Sequence, residues 1–137
     1  MPTLSHLGFT PCLQQTGFSA LAGPFFEKLD ATPIIRAFSV QSTHLNPEGV
    51  VHGGALLTFA DYIIYRAIGD EIGHHIKFAT INLNSNFTAA AKASDDVFGH
   101  ASIIRKTKSV IFAEGKIFTD KQTIMQASGI WKIIGGN

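Results

Sequence analysis

Two glycines and an aspartate seven positions further on are the residues of this chain best suited to chemistry. Gly53 and Gly54 open an apolar segment that extends to Gly69 and is predicted to be a helix of about 16 residues. Glycine is a poor residue inside a helix but is acceptable at its start, where the missing Cβ lets a ligand approach the backbone. Free N–H groups and the positive end of the helix dipole can polarise a carbonyl there and stabilise the oxyanion that forms when the carbonyl is attacked. The sequence therefore predicts an oxyanion hole made from backbone.

The aspartate, Asp61, is a carboxylate inside that apolar helix, among Phe59, Ala60 and Ile63. Burying a carboxylate is costly unless it is paired, and a carboxylate in such a place is suited to act as a general base. The alternative is a structural carboxylate that accepts a hydrogen bond from Tyr65 or from a hydroxyl of the sheet. We favour the catalytic interpretation.

The spacing of these residues predicts how the site is assembled. At about 100° and about 1.5 Å per residue, Gly54 and Asp61 share nearly one helix face but lie roughly 10 Å apart, so Asp61 cannot reach its own helix start. If a second subunit packs through a two-fold axis with its helix antiparallel, each Asp61 faces the other subunit's Gly53 and Gly54. The sequence therefore predicts a homodimer, or a tetramer built as a dimer of dimers, with composite sites.

Six segments with strand-like patterns flank the predicted helix: residues 25–29, 34–41, 76–87, 97–106, 110–119 and 123–134. Turn residues separate the last four, and the short breaks at residues 106–109 and 120–122 suit hairpins, which predicts an antiparallel meander. A sheet of about six strands can bury one apolar helix only by curling around it, so we predict an α+β fold. Alternation within the segment 76–87 predicts a polar face made of Thr80, Asn82, Asn84 and Asn86. Residues 1–23 are predicted to be a loose lead-in without a functional motif, in one domain that spans residues 1–137.

Composition excludes several classes of protein. A chain with 45% hydrophobic residues, 15% charged residues and a net charge of +1 is neither disordered nor a typical nucleic-acid binder. Cys12 is the single cysteine, and no His and Cys run has the spacing of a metal site, so we expect no disulfide and no metal. His52, Asp61 and Arg66 interrupt the most apolar stretch, and we expect neither a signal peptide nor a membrane span. These features predict a cytoplasmic protein.

The pattern H-x-N-x-x-G-x-x-H-G-G, which runs from His44 to Gly54 and is followed seven residues later by Asp61, resembles the signature of hotdog-fold thioesterases of the phenylacetate-pathway, or PaaI-like, type. The resemblance covers nearly the whole chain from about Pro24. It implies a hotdog fold, in which an antiparallel sheet wraps one central helix. It also implies hydrolysis of an acyl-coenzyme A thioester, with coenzyme A entering as part of the substrate and no other cofactor.

The resemblance also implies roles for individual residues. The backbone at Gly53 and Gly54 would hold the thioester carbonyl with help from Asn46, and Asp61 of the partner subunit would activate water or attack directly. Thr80 matches a serine or threonine that places this water. His52, directly before the helix, would either orient the loop or assist catalysis.

Coenzyme A also requires cations for its phosphates. By resemblance, the candidates are Arg105, Lys106 and Lys108 at a predicted hairpin, with Lys92 as a further one. The chain departs from the family pattern at Arg66, inside the helix, and at residues 88–91, where the family often has a proline. These departures leave the identity of the acyl group open.

Each feature also has a simpler interpretation. The glycine pair could merely allow tight packing, the basic hairpin could be solvated, and the polar face could be the wet side of a sheet. We interpret His44 as an ordinary turn residue and His74 and His75 as exposed. At the level of the whole protein, the alternatives are an acyl-CoA binding or sensing module without turnover, and a dehydratase acting on a hydroxyacyl thioester.

Overall fold

The computed structural model describes residues 3–13 and 15–136. The elements, in chain order, are β1 (Thr10–Pro11), α1 (Gly17–Ala22), β2 (Phe26–Lys28), β3 (Ile35–Ser39), a 3-10 helix (Ser42–His44), α2 (Gly53–Ile72), β4 (Ile76–Phe87), β5 (Asp96–Lys106), β6 (Val110–Phe118) and β7 (Thr123–Gly136). The described strands form one antiparallel sheet in the order β1-β2-β3-β5-β6-β7-β4. The predicted α+β class, with one long helix against an antiparallel sheet, is confirmed.

The core lies between α2 and the sheet. Fully buried side chains come from both layers, namely Phe59, Ile63, Ile64 and Ile68 of the helix and Val97, Ile111, Met125 and Trp131 of the strands. The helix approaches β5 closely at Gly99, where a Cβ would lie only 2.6 Å from Cδ1 of Ile63. Packing of this kind, rather than helix propensity, holds an apolar helix in place.

The helix α2 is longer than predicted. It continues past Gly69 to Ile72 and ends at Gly73, which has a φ of +110° and donates its N–H to the carbonyl of Gly69. Glycine adopts this positive φ without the strain that a Cβ would cause, so Gly73 is the stop signal. Gly69 itself is buried within the helix.

The strand β4 does not belong to the meander that the sequence predicts. Strands β5, β6 and β7 are connected by hairpins as expected, but β4 pairs with β7 at the edge of the sheet rather than with β5. The connection from β4 to β5 therefore crosses the start of α2, where Val51 donates its N–H to Ala91 and Val50 pairs with Lys92. As a result, β4 offers one unpaired edge of 12 residues within the described structure.

A β-bulge changes which residues of β4 share a face. Thr80 pairs with Trp131 and Asn82 with Ile130, so Ile81 is an extra residue on this strand. Such an insertion reverses the alternation of side chains. Thr80 consequently faces α2, whereas Asn84 and Asn86 line a groove on the outer face of the sheet. The prediction that Thr80 lies on the same face as these asparagines is wrong.

The lead-in is packed on the domain rather than loose. Gln15 fixes it, because its amide donates to the carbonyls of Cys12 at 3.0 Å and Phe25 at 2.8 Å and accepts the N–H of Phe25 at 2.7 Å. Leu4 and Phe9 are buried as well. None of the helices in the described part of the chain combines the length and apolar character needed to cross a membrane.

Candidate active site

The start of α2 is capped by His52. Its Nδ1 accepts the N–H of Gly54 at 2.7 Å, which places the ring proton of a neutral imidazole on Nε2. The N–H of Gly53 has no hydrogen-bond partner among the described residues. The expectation that both glycines present free N–H groups is therefore corrected: the free donor is that of Gly53, and His52 has the geometry of a loop-orienting residue.

Asn46 organises the loop that leads into the helix. Its Oδ1 accepts the N–H groups of Glu48 at 2.9 Å and Val50 at 3.3 Å, and its own N–H donates to Val50. Gly49 has a φ of +80°, which a residue with a Cβ would adopt only with strain. The side-chain oxygen of Asn46 thus closes the loop, which leaves its NH₂ group as the part that can contact a substrate.

His44 is more than an ordinary turn residue. It is buried, its Nδ1 accepts the N–H of Gln41 at 3.0 Å, and its Nε2 lies 2.6 Å from the carbonyl of Ala22 in α1. Its own carbonyl accepts the N–H of His52. His44 therefore ties the lead-in and the helix start together.

Asp61 lies on a half-buried face of α2 and accepts a hydrogen bond from the hydroxyl of Thr80 at 2.7 Å. A structural role for Asp61 requires a hydrogen bond from a hydroxyl of the sheet, and Thr80 provides one. Thr80 is, however, also a predicted site residue. The contact uses one carboxylate oxygen, and the described residues offer no hydrogen bond to the other. Deep burial of Asp61 was expected, but the edge strand β4 leaves this side of the helix partly open.

A cleft of about 390 Å³ opens beside Asp61, between α2 and the lead-in. The helix contributes Thr58, Asp61, Tyr62, Tyr65 and Arg66, and the lead-in contributes Gln15, Thr16, Phe18 and Ser19 among others. Residues 1–23 have only weak periodicity and no motif, so sequence analysis misses the role of the lead-in as a wall of the cleft. A second cleft of about 400 Å³ adjoins the helix start and shares Phe18 and Thr58 with the first.

Two protonated groups lie behind the cleft. Burial raises the pKa of the Cys12 thiol to about 11, against which a hydrogen bond with Tyr62 lowers it. Burial, together with the hydrogen bond to Cys12, also raises the pKa of the Tyr62 hydroxyl. Both groups therefore stay neutral at physiological pH, and the acidic and basic side chains that line the cleft are Asp61 and Arg66.

The predicted phosphate-binding cations lie at two different places. Lys92 is exposed beside the loop of Asn46, through the pairing of its backbone with Val50. Arg105, Lys106 and Lys108 are also exposed, but the end of β5 that carries this hairpin packs near the last turns of α2. Within one chain the structure does not bring the hairpin to the helix start. In the part of the chain that is described, no group of three or more His, Cys, Asp or Glu side chains could hold a metal ion.

The chain is similar in sequence to known proteins. A model of the thioesterase superfamily matches residues 48–126, from the loop before α2 to the first residues of β7. The candidate esterase PA0474 of Pseudomonas aeruginosa is 26% identical over 127 residues, which cover 92% of this chain and 95% of that protein.

Solved structures share the fold. The PaaI protein of the phenylacetic acid degradation operon of E. coli superposes with a TM-score of 0.70 at 21% identity, covering 76% of this chain and 74% of that one. A hypothetical thioesterase from Streptococcus pneumoniae, crystallised with coenzyme A, gives a TM-score of 0.68 at 19% identity and covers 76% of this chain and 82% of its own. The predicted hotdog fold and the resemblance to PaaI-like proteins are confirmed.

Proposed function

Because this chain belongs to the thioesterase superfamily and is a thioester hydrolase, we propose that its substrate is an acyl-coenzyme A, which it hydrolyses to a free acid and coenzyme A. The coenzyme A in the crystal structure of the Streptococcus pneumoniae neighbour supports this substrate class. Coenzyme A enters as part of the substrate, and we propose no metal or redox cofactor.

The thioester carbonyl binds at the start of α2. Its oxygen accepts the N–H of Gly53, which has no partner among the described residues, and lies at the positive end of a helix of 20 residues. The NH₂ group of Asn46 is the second donor. Both donors are held in place before the substrate arrives, because Asn46 closes its own loop and His52 caps the helix.

The partner subunit supplies the carboxylate. Seven residues separate Gly54 from Asp61, which is roughly 10 Å along the helix, so Asp61 of the same chain is too far from the carbonyl. Thr80, the hydrogen-bond partner of Asp61, lies on the edge strand β4. An unpaired edge of 12 residues is a template for pairing with another chain, and pairing there brings Asp61 to a subunit interface.

Asp61 promotes attack on the carbonyl carbon. As a general base, its free oxygen takes a proton from water while the water oxygen forms the bond to carbon. The resulting tetrahedral oxyanion, held by Gly53 and Asn46, collapses, the carbon–sulfur bond breaks, and coenzyme A leaves with a proton returned from Asp61. As a nucleophile, Asp61 would attack the carbonyl carbon and break its bond to sulfur, so that an acyl anhydride forms and coenzyme A leaves as a thiolate, which takes a proton from solvent. Water then cleaves the anhydride to the free acid and the carboxylate of Asp61. One turnover in ¹⁸O-labelled water distinguishes the two routes. If water cleaves the anhydride at the carbonyl of Asp61, the label enters Asp61, whereas the general-base route leaves Asp61 unlabelled.

The phosphates of coenzyme A bind to cations from both subunits. Lys92 adjoins the helix start of one subunit. In an antiparallel pair of helices, the hairpin of Arg105, Lys106 and Lys108 of the partner lies toward the same end, because it sits near the C-terminal turns of its own α2.

The observation that carries the proposal is that Asp61, held by Thr80 of β4, lies on the same helix as the free N–H of Gly53 but about two turns away from it. Hybrid dimers test it. Asp61→Asn removes the carboxylate, and Gly54→Val blocks the helix start, because a Cβ at residue 54 would lie 2.9 Å from Nδ1 of His52.

Each variant alone is expected to be inactive. An equal mixture forms hybrids in about half of its dimers, and each hybrid has one intact site, so about a quarter of the native activity returns. Recovery is measured as free-thiol release from acyl-CoA after co-refolding, with tagged chains to verify hybrids. Verified hybrids without activity would contradict the composite site.

A further inference from the structure

Arg66 has a position that the reaction just described does not explain. It lies on α2, and its Nε is buried without a hydrogen-bond partner among the described residues. The other arginine in this part of the fold, Arg36, is buried but pairs with Glu27 at 3.2 Å and Asp70 at 3.1 Å. A ligand cannot reach this enclosed Nε, but it can bind the Nη groups of the same guanidinium, for which the described residues supply no hydrogen-bond partner either.

Arg66 lines the same cleft as Asp61. Around it are the hydroxyl-bearing residues Thr58, Tyr62 and Tyr65 of the helix, with the lead-in opposite. Asp61 is the one carboxylate of this lining, and its contact with Thr80 directs it to β4. The guanidinium of Arg66 therefore lines a polar cleft without a salt bridge to any of the described residues.

The cleft has a firm wall on the side opposite the helix. The side chain of Gln15 makes its three hydrogen bonds to backbone groups of Cys12 and Phe25. Tyr62 packs on Phe25 with tilted rings whose centroids are 4.5 Å apart, and Tyr65 packs on Phe78 in the same way at 4.9 Å. A cleft built from residues held in this way is preorganised to discriminate between ligands.

We infer that Arg66 is a specificity-determining residue, and that the preferred acyl group ends in a carboxylate. This inference rests on the proposed function, since it places the thioester carbon next to Asp61. Arg66 follows Asp61 by five residues, about 7.5 Å along the helix axis and about 140° around it, and both side chains line the one cleft, so we test acyl chains of about four to six carbons. A guanidinium binds a carboxylate through two parallel hydrogen bonds, a geometry that no hydroxyl or methyl end group provides.

Matched pairs of substrates test the inference. We compare kcat/KM for glutaryl-CoA with pentanoyl-CoA, and for adipoyl-CoA with hexanoyl-CoA, because each pair differs in the terminal carboxylate alone. The native protein is expected to prefer the diacid thioesters by about 10- to 100-fold. In Arg66→Met this ratio falls to about one, and in Arg66→Lys it takes an intermediate value because the charge remains without the planar fork. Lys132→Met, which removes an exposed cation of β7 outside the cleft, keeps the native ratio.

Two results would overturn the inference: no preference for the diacid thioesters in the native protein, or a native ratio in folded Arg66→Met. If Arg66→Met does not fold, the native ratio and Arg66→Lys decide. If only the inference fails, the native protein still hydrolyses the thioesters and Asp61→Asn does not, but kcat/KM is the same for the diacid and monoacid substrates. Failure of the proposed function removes hydrolysis of all four thioesters, or leaves it unchanged in Asp61→Asn.

Discussion

Removal of the hydrogen bond from Thr80 to Asp61 is expected to lower kcat. Thr80→Val keeps the shape of the side chain and its preference for a strand, and removes the hydroxyl that lies 2.7 Å from the carboxylate. A hydrogen bond to a charged group contributes about 1.5–3 kcal/mol. Thr80 is exposed, so water can replace part of this contact, and we take the lower value. About 1.5 kcal/mol corresponds to a loss of roughly tenfold in kcat.

The matched control is Thr80→Ser, which retains the hydroxyl and removes a methyl group. Steady-state thiol release from one acyl-CoA, with urea unfolding measured in parallel, should show a tenfold loss for valine, less than a threefold loss for serine and similar stability for both. Native turnover in folded Thr80→Val would refute the idea that Thr80 positions the carboxylate or its water. An equal loss in both variants would attribute the effect to packing instead.

Two further predictions concern stability. Arg36→Met leaves Glu27 as an unpaired carboxylate that is 5% exposed, so urea denaturation should show a loss of about 3–5 kcal/mol, and a loss below about 1 kcal/mol would contradict the role of this ion pair. Burial raises the pKa of the Cys12 thiol from 9.0 to about 11, so the folded state keeps a proton that the unfolded state loses. The stability from the neutral thiol is therefore complete below about pH 9 and is lost as the pH rises toward about 11. Urea denaturation over this range should show a steeper fall for the native protein than for Cys12→Ala, in which half-buried Tyr62 still contributes a fall of its own.

The parts of the fold that follow from local pattern could be predicted. The predicted limits of the strand at residues 76–87 match β4, and the apolar run after Gly53 forms α2. Alternation and an unbroken apolar helix are properties of neighbouring residues, which is why they can be read from one sequence. The spacing between Gly54 and Asp61 is likewise a local property, and it places the two residues about two turns apart on α2.

Features that depend on contacts between distant residues could not be predicted. The bulge at Ile81 is defined by the pairing of β4 with β7, and the residue types in β4 do not predict it. Arg36 interrupts the apolar face of its predicted strand, and the reason is its contact with Asp70, 34 residues away. The occupation of the Gly54 N–H by His52 depends on a rotamer, which composition and spacing do not determine.

In the proposed mechanism, hydrolysis of an acyl-CoA thioester depends on the carboxylate of Asp61. The most direct test is free-thiol release from short, medium, long, aromatic and carboxylate-ending acyl-CoAs, comparing the native chain with Asp61→Asn. We expect hydrolysis of at least one class by the native protein and a loss of several orders of magnitude in the variant, which keeps the shape of the side chain but not its basicity. Full activity of a folded Asp61→Asn protein would contradict the mechanism, and no hydrolysis of any thioester by a well-folded native oligomer would contradict the substrate class.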